Sequence, residues 1–195
     1  MRTFVIALRV SLATLLLTGV AYPLLVTAIA HVVFPSQASG SLVTDVKGQV
    51  VGSELIGQAF SKPYYFQPRP SAAGDKGWDA TASSGSNLGP TSAKLAERVR
   101  AERERLQREN PDAPGTIPPE LLAASASGLD PHISPAAALW QVARVAKARG
   151  VEADRVRQLV EQHIEGRDVG FLGEPRVNVL DLNVALDRQL GRAGD

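Results

Sequence analysis

The side chains here that could do more than pack are few and scattered. Histidines stand at positions 31, 132 and 163, with no cysteine anywhere in the chain. No H-E-x-x-H or other metal-ligand spacing joins them, so the residues imply no zinc or iron site. His163 continues an apolar helical stripe and reads as a packed or half-exposed residue. Ser127-Gly128-Leu129-Asp130-Pro131-His132 gathers Ser, Asp and His within six residues. A nucleophile, base and orienting acid work through spatial geometry, and no G-x-S-x-G elbow accompanies the cluster. The stretch reads as turn chemistry, with Asp130 ahead of a proline and Gly128 free to enter the left-handed region. A hydrolase built on Ser127 and His132 stands as the alternative. No G-x-x-x-x-G-K-[ST] loop occurs. Ser84-Gly85-Ser86-Asn87-Leu88-Gly89 could turn several backbone N–H groups toward an anion, because small residues let the backbone approach closely.

Those segments lie on a chain whose first forty residues differ from the rest. From Val10 to Phe34 there are 25 residues without Asp, Glu, Lys or Arg. As a helix they span about 37 Å, enough to cross a hydrocarbon core with some tilt. Ser11, Thr14, Thr18 and Thr27 can bond back to their own helix, and Pro23 should remove one backbone bond and kink it. Arg2 and Arg9 precede the span, and no basic residue follows until Lys47. The positive-inside rule then places residues 1–9 in the cytoplasm, 10–34 in the cell (inner) membrane and 35–195 outside it as an extracytoplasmic domain. A cleaved signal peptide ending at Ala28-Ile29-Ala30 is the rival reading. Its apolar region would exceed the usual 7–15 residues, and the run continues through Val32, Val33 and Phe34.

The remaining 160 or so residues suit one domain. Lacking cysteine, it must hold by packing alone. A net charge of +1 and 5% aromatic content argue against a nucleic-acid partner. After a polar linker at 35–40, Ser41 to Gly52 reads as a β-hairpin turning at Lys47-Gly48. Residues 56–90 form a Gly-, Pro- and Ser-rich stretch, a length unusual in a compact domain unless it is functional or bound to a partner. Ser92 caps a charged surface helix to about Glu109, laced by pairs such as Glu104 with Arg108. A second loop covers 111–133. Ser134-Pro135 opens a helix that Gly150 stops, with Leu139, Val142 and Ala146 inward. Val156, Leu159, Val160 and Ile164 mark another, and Asn178 caps the last, with Val179, Leu182, Leu186 and Leu190 on one face. The fold class is α+β: one transmembrane helix, then a single mixed, helix-dominated soluble domain.

Several stretches resemble one family closely. They are Gly52-Ser53-Glu54-Leu55-Ile56-Gly57-Gln58, Tyr65-Phe66 leading to Arg69-Pro70-Ser71, and Ser84 to Pro90. Ala124 to Pro135, Arg144-Val145-Ala146 with Ala148-Arg149, and Arg176 to Asn183 complete the set. In order and spacing the chain is similar to KdpC, the C subunit of the Kdp potassium-transporting P-type ATPase. That resemblance implies a complex with a channel-like potassium-binding subunit, a P-type ATPase subunit and a small single-span subunit, all in membrane lipid. It assigns ATP hydrolysis to the ATPase subunit and makes the C subunit a non-catalytic chaperone that raises its partner's ATP affinity. The residues it links to ATP are Ser84, Gly85, Ser86, Asn87 and Gln141; the first four are likened to the signature motif of ABC transporters, whose Ser-Gly-Gly-Gln is here Ser-Gly-Ser-Asn. Asp75-Lys76-Gly77 has only a faint likeness to the Asp-Lys-Thr-Gly of P-type ATPases, lacks its Thr, and reads as a loop. An extracytoplasmic domain cannot meet cytoplasmic ATP, so an effect on ATP affinity would have to be conformational.

Overall fold

The computed structural model describes residues 1–191. The expected domain end at 192–195 lies outside the described residues. By its contacts the chain divides into two compact units, one from Met1 to Leu42 and one from Val43 onward.

The first unit is dominated by a helix from Arg2 to Val33, long and apolar enough to cross a membrane. Helix α1 (Arg2–Leu16) passes through a π-turn at Leu17–Ala21 into α2 (Tyr22–Val33). Proline has no N–H to give, and a π-turn widens the ladder just ahead of it. The Tyr22 N–H bonds to Leu17 O, five residues back, immediately before Pro23. Thr18 donates its hydroxyl to Thr14 O at 2.8 Å, as expected for a hydroxyl in an apolar helix. Residues read as a polar linker instead form one helical turn, α3 (Pro35–Ala38), because a proline suits a first helical position.

From the boundary of the two units onward, β1 (Leu42–Thr44) and β2 (Val50–Ser53) pair as the expected hairpin. Gly48 takes φ +76°, and the Asp45 carboxylate accepts from the Lys47 and Gln49 amides to fix the turn. Helix α4 (Ala93–Glu109) starts at the Ser92 cap. Its ion pairs run from Arg105 to Glu102 and Glu109; the expected Glu104–Arg108 pair is not among those formed by the described residues. Helices α5 (Pro135–Arg149), α6 (Ala153–Gln162) and α7 (Val179–Leu190) carry the core. Ile164 lies beyond the end of α6 and is exposed, since His163 closes that helix.

Two short strands tie this core together. β3 (His132–Ile133) pairs antiparallel with β4 (Val177–Asn178), His132 opposite Asn178 and Ile133 opposite Val177. Each strand runs straight into a helix, so one ladder fixes the N-termini of both α5 and α7. Ser134 accepts from the Ala137 N–H, and Asn178 from those of Leu180 and Asp181. The opposite end of α5 stops at Gly150 in the left-handed conformation. Buried Ile133, Val145, Val160, Val177, Leu182 and Leu186 pack within this frame.

Among the glycines with positive φ, the tightest backbone approach is at Gly128, which has φ +70°. A Cβ there would stand 2.7 Å from both Ala73 N and Ser84 O. Gly128→Ala is therefore expected to destabilise the fold by about 2–4 kcal/mol, left-handed strain adding to overpacking. Gly115→Ala, with φ +69° but open space around it, should cost only about 1 kcal/mol. Denaturant unfolding of the full-length variants in detergent checks the contrast; equal losses would show that the close approach at Gly128 is unimportant.

Candidate functional site

The polar heart of the domain is a segment without secondary structure of its own, residues 63–67, held between α5 and α7. An extended backbone normally satisfies its N–H and C=O groups on a neighbouring strand. Here side-chain amides take that place. Asn183 accepts from the Phe66 N–H at 2.8 Å and donates to the Phe66 carbonyl at 3.0 Å. One residue on, Gln141 accepts from the Gln67 N–H at 2.8 Å and donates to its carbonyl at 3.0 Å. Gln141 also donates to Ala137 O and accepts from Arg144, so both its donor hydrogens and both its acceptor lone pairs are engaged. It is only 1% exposed.

Arginines of α5 complete the clamp. Arg144 donates to Pro63 O at 2.6 Å; burial draws its pKa down to about 10, against the pull of Glu109, so it keeps its charge at neutral pH. Arg149 donates to Tyr64 O at 2.8 Å and pairs with Asp187 of α7 at 2.8 Å, its guanidinium lying against the rings of Tyr64 and Tyr65. The Tyr65 hydroxyl donates to the other Asp187 oxygen at 2.6 Å. From α4, Arg105 reaches the Gln67 side chain at 3.0 Å while bound to Glu102 and Glu109, and these carboxylates, Glu102 foremost, hold its pKa above the usual arginine value.

The Ser-Gly segment lies in a different place. Ser84 donates its hydroxyl to Ala72 O, and a Cβ on Gly85 would stand 2.8 Å from Ala126 O, so the backbone is laid directly on the 126–128 turn. Asn87 takes a left-handed φ of +50°. Gly85 and Ser86 line a cleft of about 590 Å³ with Lys76, Lys94 and Arg98, where Asp75 is the one carboxylate. Gln141 does not line it. The structure brings Ser84, Gly85, Ser86 and Asn87 together on one loop and keeps Gln141 inside the clamp, with no hydrogen bond between the two sets among the described residues.

Ser127, Asp130 and His132 form a turn. Ser127 Oγ accepts from the Leu129 N–H, and Asp130 accepts from the His132 N–H at 3.0 Å and pairs with Arg69 at 3.2 Å. The His132 ring is 3.7 Å from Asp130, and no hydrogen bond joins Ser127 to it among the described residues. Burial raises the Asp130 pKa, but the hydrogen bonds from His132 and the charge of Arg69 outweigh it, leaving the carboxyl below its usual value.

Sequence reasoning missed the clamp itself, although a signal was present. Gln141 and Asn183 sit beside inward apolar positions of their helices, where an unpartnered amide would be costly. Each therefore had to have a partner, but the partner is 74 residues away for Gln141 and 117 for Asn183.

These features define a class: a chain with one membrane-length helix and an α+β domain built round an irregular segment gripped by side chains. Comparison with known proteins makes this specific. The profile of the family KdpC: K+-transporting ATPase, c chain, matches residues 4–188. A potassium-transporting ATPase KdpC subunit from Myxococcus xanthus is 61% identical over 193 residues, covering 99% of this chain and 91% of the relative. Those from Nitratidesulfovibrio vulgaris and Herpetosiphon aurantiacus are each 55% identical, over 91% and 96% of this chain and 91% and 97% of theirs. The chain belongs to the KdpC family.

Replacing Gln141 by Leu would strand the Gln67 amide and carbonyl and leave Arg144 short of a partner. A loss of about 2–4 kcal/mol is expected, since each buried polar group left unsatisfied costs about 1–3 kcal/mol. Thermal unfolding of the full-length variant reads it, and a change below about 1 kcal/mol would show the clamp to be dispensable. Asp130 adds a pH signature. Its folded pKa is depressed, so its contribution is present above the ordinary value of 3.8 and fades as pH falls through the lowered one. Asp130→Asn should flatten the acid limb of the stability curve, and an unchanged limb would contradict that assignment.

Proposed function

We propose that this chain is a non-catalytic accessory subunit of a potassium-transporting ATPase. Its N-terminal helix anchors it in the cell membrane with the N-terminus in the cytoplasm, and its soluble domain lies outside. Its partners are a channel-like potassium-binding subunit, the P-type ATPase subunit that hydrolyses ATP, and a small single-span subunit. Acting as a catalytic chaperone, it raises the ATP affinity of the ATPase subunit through conformation, without touching the nucleotide.

The observation that carries this reading is the full engagement of Gln141. A residue that is buried, and whose hydrogen-bonding capacity is taken up by Gln67, Ala137 and Arg144, has none left for a ligand. The likeness of relatives named as potassium-transporting ATPase subunits supports the assembly. The arrangement of Ser127, Asp130 and His132 as a turn weighs against an independent hydrolase. A second reading has its own observation. The cleft of Lys76, Lys94 and Arg98 with Gly85 and Ser86 offers cations and small residues of the kind that receive phosphates, so direct contact with ATP is the competing mechanism.

The absence of native cysteine makes the test clean. With Ser84→Cys, a membrane-impermeant maleimide is expected to label intact cells from outside; labelling only after the cytoplasm is opened would overturn the orientation. In the purified complex, Lys76→Ala with Lys94→Ala should leave the KM for ATP unchanged, whereas direct phosphate contact would raise it about tenfold or more, as loss of charged contacts does.

A further inference from the structure

Between α6 and β4 the chain makes an excursion that packing does not explain. Glu165 and Arg176 exchange both backbone hydrogen bonds, at 2.8 and 3.0 Å, and form the base of a small hairpin. Asp168 and Leu172 do the same further out, at 2.9 Å each. The tip they enclose presents Val169, Phe171 and Leu172 at 82%, 69% and 52% exposure, with no charged residue between Asp168 and Glu174. Val169 has φ +53°, a conformation that a β-branched residue rarely adopts. Left-handed strain is usually held in place by surrounding contacts, and here the strained side chain stands in solvent.

The base of the hairpin is braced by charge. Arg176 pairs with Glu165 at 2.9 Å and Asp168 at 3.3 Å, and Arg167 pairs with Glu174 at 2.7 Å. Asp168 and, less strongly, Glu165 hold the Arg176 pKa above its ordinary value. The result is an ordered apolar finger on a collar whose charges are already matched. Rigid presentation of an aromatic and two aliphatic side chains lowers the entropy cost of docking. Aromatic residues seated in a pocket and ringed by polar contacts make the energetic centres of protein interfaces.

We infer that Val169, Phe171 and Leu172 form a docking finger that inserts into an apolar pocket on another protein subunit of the complex. The collar favours a protein over the membrane surface. With two arginines against three carboxylates, all paired, it offers no excess positive charge to an anionic leaflet. Nor does the tip carry the Trp or Tyr usual at a lipid interface. The inference rests on the chain's being an ATPase subunit, and not on which side of the membrane its domain lies.

The test uses the full chain co-expressed with its complex, with the photoreactive residue p-benzoylphenylalanine replacing Phe171. Irradiation of membranes is expected to yield an adduct with one of the subunits that copurify with the unmodified chain, identified by mass. An adduct with a second copy of this chain, with lipid alone, or no adduct would overturn the inference. Phe171→Asp should reduce recovery of the chain with the complex about tenfold or more, and Phe171→Leu should restore it. Because Phe171 is exposed, both variants should unfold at the wild-type temperature, and undiminished recovery of Phe171→Asp would also overturn the inference. If the unmodified chain copurified with no ATPase subunit, the proposed function would fail instead.

Discussion

The second unit depends on one substitution of parts: two side-chain amides do the work of two β-strands. Phe66 and Gln67 carry their backbone polar groups into a buried place, where leaving them unpaired would cost several kcal/mol in total. A strand on either side would satisfy them, but the neighbours are helices, whose own backbone groups are already paired internally. Asn183 and Gln141 solve this by reaching out from α7 and α5 with one acceptor and one donor each. Much else follows. The two helices must start at a fixed offset, which the β3–β4 ladder sets. The arginines of α5 must lie along the same segment, and Asp187 must be present to receive Arg149.

The same constraint explains why a long stretch with little periodicity is ordered. Residues 56–90 have no regular secondary structure, yet they are gripped at Gly57 through Leu129, at Tyr64 to Gln67 by the clamp, and at Ser71 through Gly128. Read from sequence, the stretch needed a function or a partner to justify its length. The partner it has is the helical core of its own chain.

The parts of the fold legible in the sequence are those governed by neighbours along the chain. The Ser92, Ser134 and Asn178 caps, the stop at Gly150, the hairpin turn at Gly48 and the apolar membrane-length helix all follow from a few adjacent residues. The one-turn helix at Pro35 was hidden because its composition is that of a linker. The adjustment ahead of Pro23 was legible as a missing bond but not as a π-turn. At the candidate site, residue types were readable and pairings were not. Nothing local to Gln141 says that its partner is Gln67, and nothing near Arg105 favours the Gln67 side chain over solvent.

Distance along the chain has a consequence in time. The hydrogen bonds of Phe66 wait for Asn183, 117 residues downstream. A ribosome adding roughly 5–20 residues per second takes on the order of ten seconds to cover that gap. Through that interval the aromatic run at 64–66 has no α7 to bind, and its backbone amides face whatever medium it has entered. The clamp is therefore complete only once the last helix has arrived, and a chain cut short before α7 would keep its membrane-length helix while lacking Asn183 and Asp187.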